Sequence, residues 1–212
     1  NYSSNNGAKA SNNSWGGGSY STGLASAIER AGQGGQVFVA AAGNGGQDQI
    51  GDDNDYSPHY PSSYGFDNVV AVAASEQSGS RTYFSNYGAT SVDVAAPGRD
   101  ILSTYIGGTY DSKSGTSMAA PHVTGVAALL LSRNLGLSPS EIREIIIESA
   151  NPDSRWSGRI VSGGILDALT ALQYDRSAPP PTTTQAPPTT TFVPPGGGFI
   201  SSGQTKIAYQ AP

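Results

Sequence analysis

In SGTSMAAPHVTGVAALLL, residues 114–131, one serine, Ser117, opens an apolar run rich in alanine, valine and leucine. A serine hydroxyl is a weak nucleophile at neutral pH. It attacks a carbonyl only when a base takes its proton and donors hold the oxyanion that forms. The start of a helix offers such donors, because its first N–H groups are unpaired and the positive end of the macrodipole lies there. Gly115 permits a turn just before the serine, and Pro121 is expected in the first turn or so, where its missing N–H is tolerated. Gly125, Ala127 and Ala128 are small enough to let this helix pass close to its neighbours. Taken alone, Ser117 would more simply be a helix cap. The chain has only two histidines to serve as base, His59 and His122. Five residues beyond Ser117 in the same helix, His122 is turned away from the hydroxyl.

The elements that must position this serine are legible as alternating strands and helices. QVFVAAAGNGG (36–46) is an unbroken apolar run of strand length that stops at glycine, and NVVAVAAS (68–75) and SVDVAAPG (91–98) repeat the pattern. Such runs describe parallel strands covered on both faces. AKASNNSW (8–15) reads as a short strand entering a glycine loop. Leu24, Ala27, Ile28 and Ala31 fall at helical spacing within 21–32. Ser138, Pro139 and Glu141 predict a capping box with proline at the first helical position, and Ile142, Ile145 and Ile146 form the buried stripe that follows. A last helix is expected in LDALTALQY (166–174). The alternation predicts an α/β fold with a mostly parallel sheet.

Composition narrows the function classes. A net charge of −5 over 212 residues, with 13% charged side chains, argues against nucleic acid or an anionic membrane surface as main partner. There is no cysteine, hence no disulfide and no thiolate metal site. No apolar run approaches the ~20 residues that span a bilayer. Residues 1–175 read as a globular domain, whereas 176–195 hold half of the 14 prolines and many threonines. That stretch predicts an extended, disordered linker open to O-glycosylation, with a short tail to Pro212. Met118 is the only methionine, so Asn1 is not a translation start and a processed or partial chain is expected.

SGTSMAAPHVTGVAALL resembles the nucleophile segment of the subtilisin-like serine peptidases, the subtilases. NNSWGGG (12–18), VFVAAAGN (37–44), YFSNYG through VDVAAPG (83–98) and GGILDALTAL (163–172) resemble further segments of that family in the right order. The resemblance implies a three-layer subtilisin-like fold, truncated at its N-terminus. It implies a serine endopeptidase acting on polypeptide substrates, secreted or on the extracellular surface. Ser117 would be the nucleophile, and Asn44 would donate its side-chain N–H to the oxyanion beside the backbone N–H of Ser117. Ser14, Trp15 and Gly16 would pair with the substrate as an added strand. Ala41, Ala42 and Gly43 would form a side of the pocket for the residue preceding the scissile bond.

The family keeps its histidine and aspartate in H-G-[ST]-H and D-[ST]-G motifs upstream of NNSWGG, and neither motif occurs here. On this resemblance His122 is a structural residue, His59 a rim residue near the pocket, and Asp93 a structural acid. The triad partners are then expected in an N-terminal part of the domain preceding Asn1, and these residues alone are expected to be inactive. The alternative is a catalytically inactive relative that binds peptides or serves at the cell surface. A sheet lacking its N-terminal strands would leave an unpaired edge. No cofactor is required for the chemistry. QDQIGDDNDYSP (47–58) could hold a structural calcium, although a solvated acidic loop is the simpler reading. NYS (1–3) and NNS (12–14) fit the N-glycosylation pattern, and the second lies in the substrate strand.

Overall fold

The computed structural model describes residues 2–175. The Pro/Thr-rich linker, the tail and the Asn1 sequon lie outside them. In chain order the elements are α1 (Tyr2–Asn5), β1 (Ala10–Asn13), α2 (Thr22–Gln33), β2 (Val37–Ala41) and β3 (Val69–Ser75). There follow β4 (Val94–Pro97), β5 (Ile101–Tyr105), β6 (Thr109–Lys113), α3 (Thr116–Arg133) and α4 (Pro139–Glu148). The chain then forms β7 (Asn151–Pro152), β8 (Gly164–Ile165) and α5 (Ala168–Gln173).

Six strands form one sheet in the order β1-β2-β3-β4-β8-β7. All neighbours are parallel except β7 and β8. Every residue of β2 and β3 is buried, so both faces of the sheet centre are covered, as their unbroken apolar runs require. The two-residue period of a strand sorts the side chains. Val37, Val39 and Ala41 pack with Val123, Val126 and Leu130 of α3 and with Ile142, Ile145 and Ile146 of α4. Phe38 and Ala40 face the other way, onto Ala25 and Ile28 of α2. The result is the expected three-layer α/β architecture. The hairpin β5–β6 stands apart as a two-stranded antiparallel sheet turning through Gly107 and Gly108 at positive φ. The sequence reading had not assigned it.

Local chemistry starts and stops the helices. The capping box of α4 forms as its sequence predicts: Ser138 Oγ accepts from the Glu141 N–H, and the Glu141 carboxylate accepts from the Ser138 N–H at 2.7 Å. For α3 two expectations change. Gly115, not Ser117, is the N-cap, so the serine hydroxyl is not spent on capping. Pro121 is the sixth residue of α3, just beyond the first turn or so expected. At that depth a missing N–H removes the helical partner of the Ser117 carbonyl. The Ser14 hydroxyl takes its place, donating to Ser117 O at 2.7 Å. Where β4 begins, buried Asp93 continues the ladder with its side chain. Its Oδ2 accepts from the Ala71 N–H at 2.8 Å and its Oδ1 from Arg143 at 2.6 Å. Burial pushes this carboxyl up, and the guanidinium of Arg143 pulls against that push.

Candidate active site

The C-terminal end of β2 and the N-terminal end of α3 meet at one cleft, the place where open α/β sheets gather ligands. Trp15, Gly16, Ala41, Gly43, Asn44, Gly45, His59, Thr116 and Ser117 line a cavity of about 310 Å3 there. Six of the eight residues expected at the site are among them. Ser14 contributes from beside the cleft through its backbone and its hydroxyl. Ala42 does not line this cavity. The pleat that turns Ala41 toward the cleft turns Ala42 away, fully buried against Ala73, Val92, Ala95 and Trp156.

Asn44 is held by its oxygen. Its Oδ1 accepts from the Thr116 N–H at 2.8 Å and from Thr116 Oγ1 at 3.0 Å, and Thr116 Oγ1 in turn accepts from the Gly43 N–H at 3.2 Å. With the oxygen fixed on the first turn of α3, the Nδ2 side of the amide is left as an unused donor. The N–H of Ser117, second residue of α3, has no helical acceptor and makes no hydrogen bond among the described residues. Two donors are therefore unspent beside the Ser117 hydroxyl, at the positive end of an 18-residue helix. That hydroxyl donates to the Ser14 carbonyl at 3.3 Å.

Neither histidine bonds to Ser117. His122 Nδ1 donates to the Met118 carbonyl at 2.9 Å, one turn back in α3, as expected of a structural residue. His59 departs from its expected place on the rim: half-buried, it lines the cleft itself. A Cβ on Gly16 would overlap His59 Cε1, and one on Gly43 would lie 2.9 Å from His59 Cδ2 and 2.5 Å from Asn86 Nδ2. Gly43 also sits at φ 111°, where a side chain is strained.

Sequence reading missed the asparagines that shape the turn after β2. Buried Asn86 accepts at Oδ1 from the N–H groups of Gly45 and Asp52 and donates from Nδ2 to Asn54, which donates to the Ala42 carbonyl. The acids of the 47–58 loop serve as local acceptors. Asp48 takes the Ile50 N–H, Asp53 the Asp55 N–H, and Asp55 the backbone and hydroxyl of Thr90. Among the described residues no three acidic or histidine side chains group as metal ligands.

A serine on a helix N-terminus with an amide donor clamped beside it supplies groups that acyl-transfer chemistry can use. Comparison with known proteins agrees with it. The Subtilase family pattern matches residues 1–178, and the chain belongs to that family. Thermitase of Thermoactinomyces vulgaris is 44% identical over 173 residues, covering 82% of this chain and 57% of thermitase. Subtilisin DY of Bacillus licheniformis is 41% identical over 178 residues, covering 81% and 60%. Among solved structures, a protease from Pseudoalteromonas arctica PAMC 21717 superposes with a TM-score of 0.67 at 36% identity, over 78% of this chain and 50% of that one. The prenylagaramide maturation protease PagA gives 0.67 at 32% identity, over 81% and 64%. The chain thus spans less than two thirds of the length of these relatives. No described helix is long and apolar enough to cross a membrane.

Proposed function

We propose that this chain carries the nucleophile, the oxyanion donors and the peptide-binding wall of a secreted serine endopeptidase, whose histidine and aspartate come from polypeptide preceding Asn1. The observation that carries this reading is the convergence of Ser117, its unbonded N–H and the clamped Asn44 amide at one cleft. Two further facts support the missing partner. The outer edge of β1 has no neighbouring strand among the described residues, and the relatives are longer than this chain.

The chemistry then runs as acyl transfer. Ser117 Oγ attacks the scissile carbonyl carbon while its proton passes to the imidazole supplied from upstream. The carbonyl oxygen, now an oxyanion, accepts from Asn44 Nδ2 and the Ser117 N–H. The C–N bond breaks, the amine leaves with the imidazole's proton, and water attacks the ester by the same steps to release the acid and restore Ser117. Trp15 and Gly16 would hold the peptide as an added strand, and Ala41 and Gly43 would wall the pocket for the residue before the scissile bond. No metal enters this chemistry. A structural calcium in the 47–58 loop is a separate proposal, tested by whether chelation lowers the melting temperature.

The rival is a peptide-binding protein without turnover. It draws on the Ser117 hydroxyl donating to Ser14 O rather than to a base. The deciding experiment expresses the complete reading frame and treats it with a fluorophosphonate probe, with Ser117→Ala as control. Labelling of Ser117 together with hydrolysis of a casein substrate supports the peptidase. Peptide binding without labelling supports the rival.

A further inference from the structure

His59 is a titratable group in the cleft that the acyl-transfer chemistry does not use, and its surroundings fix which of its nitrogens is available. Ser62 Oγ spends its hydrogen on the His59 carbonyl at 2.7 Å. At the 3.4 Å contact between Ser62 Oγ and His59 Nδ1 the hydroxyl can therefore only accept, which favours the tautomer with its proton on Nδ1. In the neutral ring Nε2 is then a bare acceptor. The ring edges on either side of it are covered, Cε1 by Gly16 and Cδ2 by Gly43. Nε2 itself makes no hydrogen bond and is not among the buried unpartnered atoms of the described residues, which leaves it open to the cleft.

We propose that His59 reads the side chain lying in this cleft: a neutral imidazole accepts from a side chain ending in an amide or other donor, and a protonated one donates to a side chain ending in a carboxylate. The proposal rests on the cleft being a peptide site. It makes the protein's preference one for glutamine-like over glutamate-like residues at neutral pH, inverting in mild acid. Burial lowers the imidazole below its ordinary 6.5, and Asp52, on the loop after β2, raises it in opposition. The switch falls on the acid side of neutrality. Gly16, Gly43 and Ser62, which lie against the ring, are uncharged.

Three peptides of equal length test this, bearing Gln, Glu or Met at the position before a non-hydrolysable reduced amide. Their binding to the full-length protein is measured by calorimetry between pH 8 and pH 5. The Glu:Gln affinity ratio is expected to rise about tenfold across that range, the scale of one charge-assisted hydrogen bond, while Met stays flat. In His59→Gln, which keeps a polar side chain but cannot titrate, the ratio is expected to be constant. A constant ratio in the wild-type protein overturns the proposal without touching the peptidase reading, as does a pH-dependent ratio that survives in His59→Gln. Failure of all three peptides to bind at any pH overturns the proposal together with the peptide-cleft reading on which it rests.

Discussion

Replacing Ser14 by alanine removes the side-chain donor to the Ser117 carbonyl, whose usual helical partner one turn on is Pro121 and has no N–H. The same hydroxyl accepts from Asn12 Nδ2 at 2.9 Å, and Asn12 Oδ1 accepts from Thr124 of α3 at 3.1 Å. Ser14→Ala therefore breaks a chain of hydrogen bonds that ties the strand end to the helix carrying Ser117. An unsatisfied buried carbonyl costs about 1–3 kcal/mol. Here the groups are only partly buried, which puts the expected loss at about 1–1.5 kcal/mol. Pro121→Ala restores a backbone N–H at the position from which a helix bonds Ser117 O. In that background Ser14→Ala is expected to cost about 0.5 kcal/mol or less, a coupling of about 1 kcal/mol between two residues far apart in sequence. Urea unfolding of the full-length protein, followed by tryptophan fluorescence, measures all four corners of the cycle, with fully buried Trp156 as a reporter. If Ser14→Ala costs the same with proline or alanine at 121, the carbonyl is not what the hydroxyl serves, and the argument fails.

Other perturbations address the site and its frame. On the peptidase reading, Asn44→Ala in the full-length protein is expected to lower kcat by about 10²–10³ with little change in KM, the signature of a donor used in the transition state; steady-state kinetics on a peptide anilide reads it. Gly43→Ala places a Cβ 2.5 Å from Asn86 Nδ2 at φ 111°, with an expected loss of about 2 kcal/mol or more. Gly46→Ala, where a Cβ meets nothing within 4 Å, is the control and stays within about 0.5 kcal/mol by the same urea titration. Acid should destabilise the domain below pH 3.8. Burial pushes Asp55 up, but hydrogen bonds from the Thr90 N–H and hydroxyl help hold it below its ordinary value, and the Arg155 hydrogen bond holds Asp153 down. With folded values below the unfolded ones, both contribute stability that is complete above 3.8 and lost as pH falls through the folded values. Melting temperatures taken between pH 5 and pH 2.5 check the sign, and Asp55→Asn should flatten part of the slope.

The frame was legible where sequence carries a period or a cap. β2 and β3 announce themselves because a strand buried on both faces is apolar at every position, and Ser138 with Glu141 announces α4 because the two residues satisfy each other's backbone donors. The hairpin β5–β6 left a fainter trace, Gly107-Gly108 between runs of Thr, Tyr and Ile, and its mostly exposed strands lack the apolar alternation that marks a half-buried sheet. Pro121 lies in the second turn of α3, just beyond the first turn or so that the sequence suggests. Proline within the first turns of a helix is common enough that its depth depends on where the cap falls, and a glycine cap carries no side-chain signal.

The cleft shows why composition alone could not sort its lining. Ala41, Ala42 and Gly43 are all small and consecutive, yet only the first and third reach the cavity. The phase of the pleat is set by Val37 and Val39 packing on α3 and α4, a decision made at the other end of β2. His59 enters for a related reason. Nothing near it in sequence marks a cleft, but Gly16 and Gly43 leave a gap between a strand end and a turn that a flat ring can fill. The two glycines belong to NNSWGGG and VFVAAAGN, lie 27 residues apart and give no sign in sequence that they meet. Their common partner is visible only once β1 and β2 lie side by side in register, Asn13 against Ala40. Read together, two glycines each missing a Cβ toward the same point in space predict that something flat and specific lies between them.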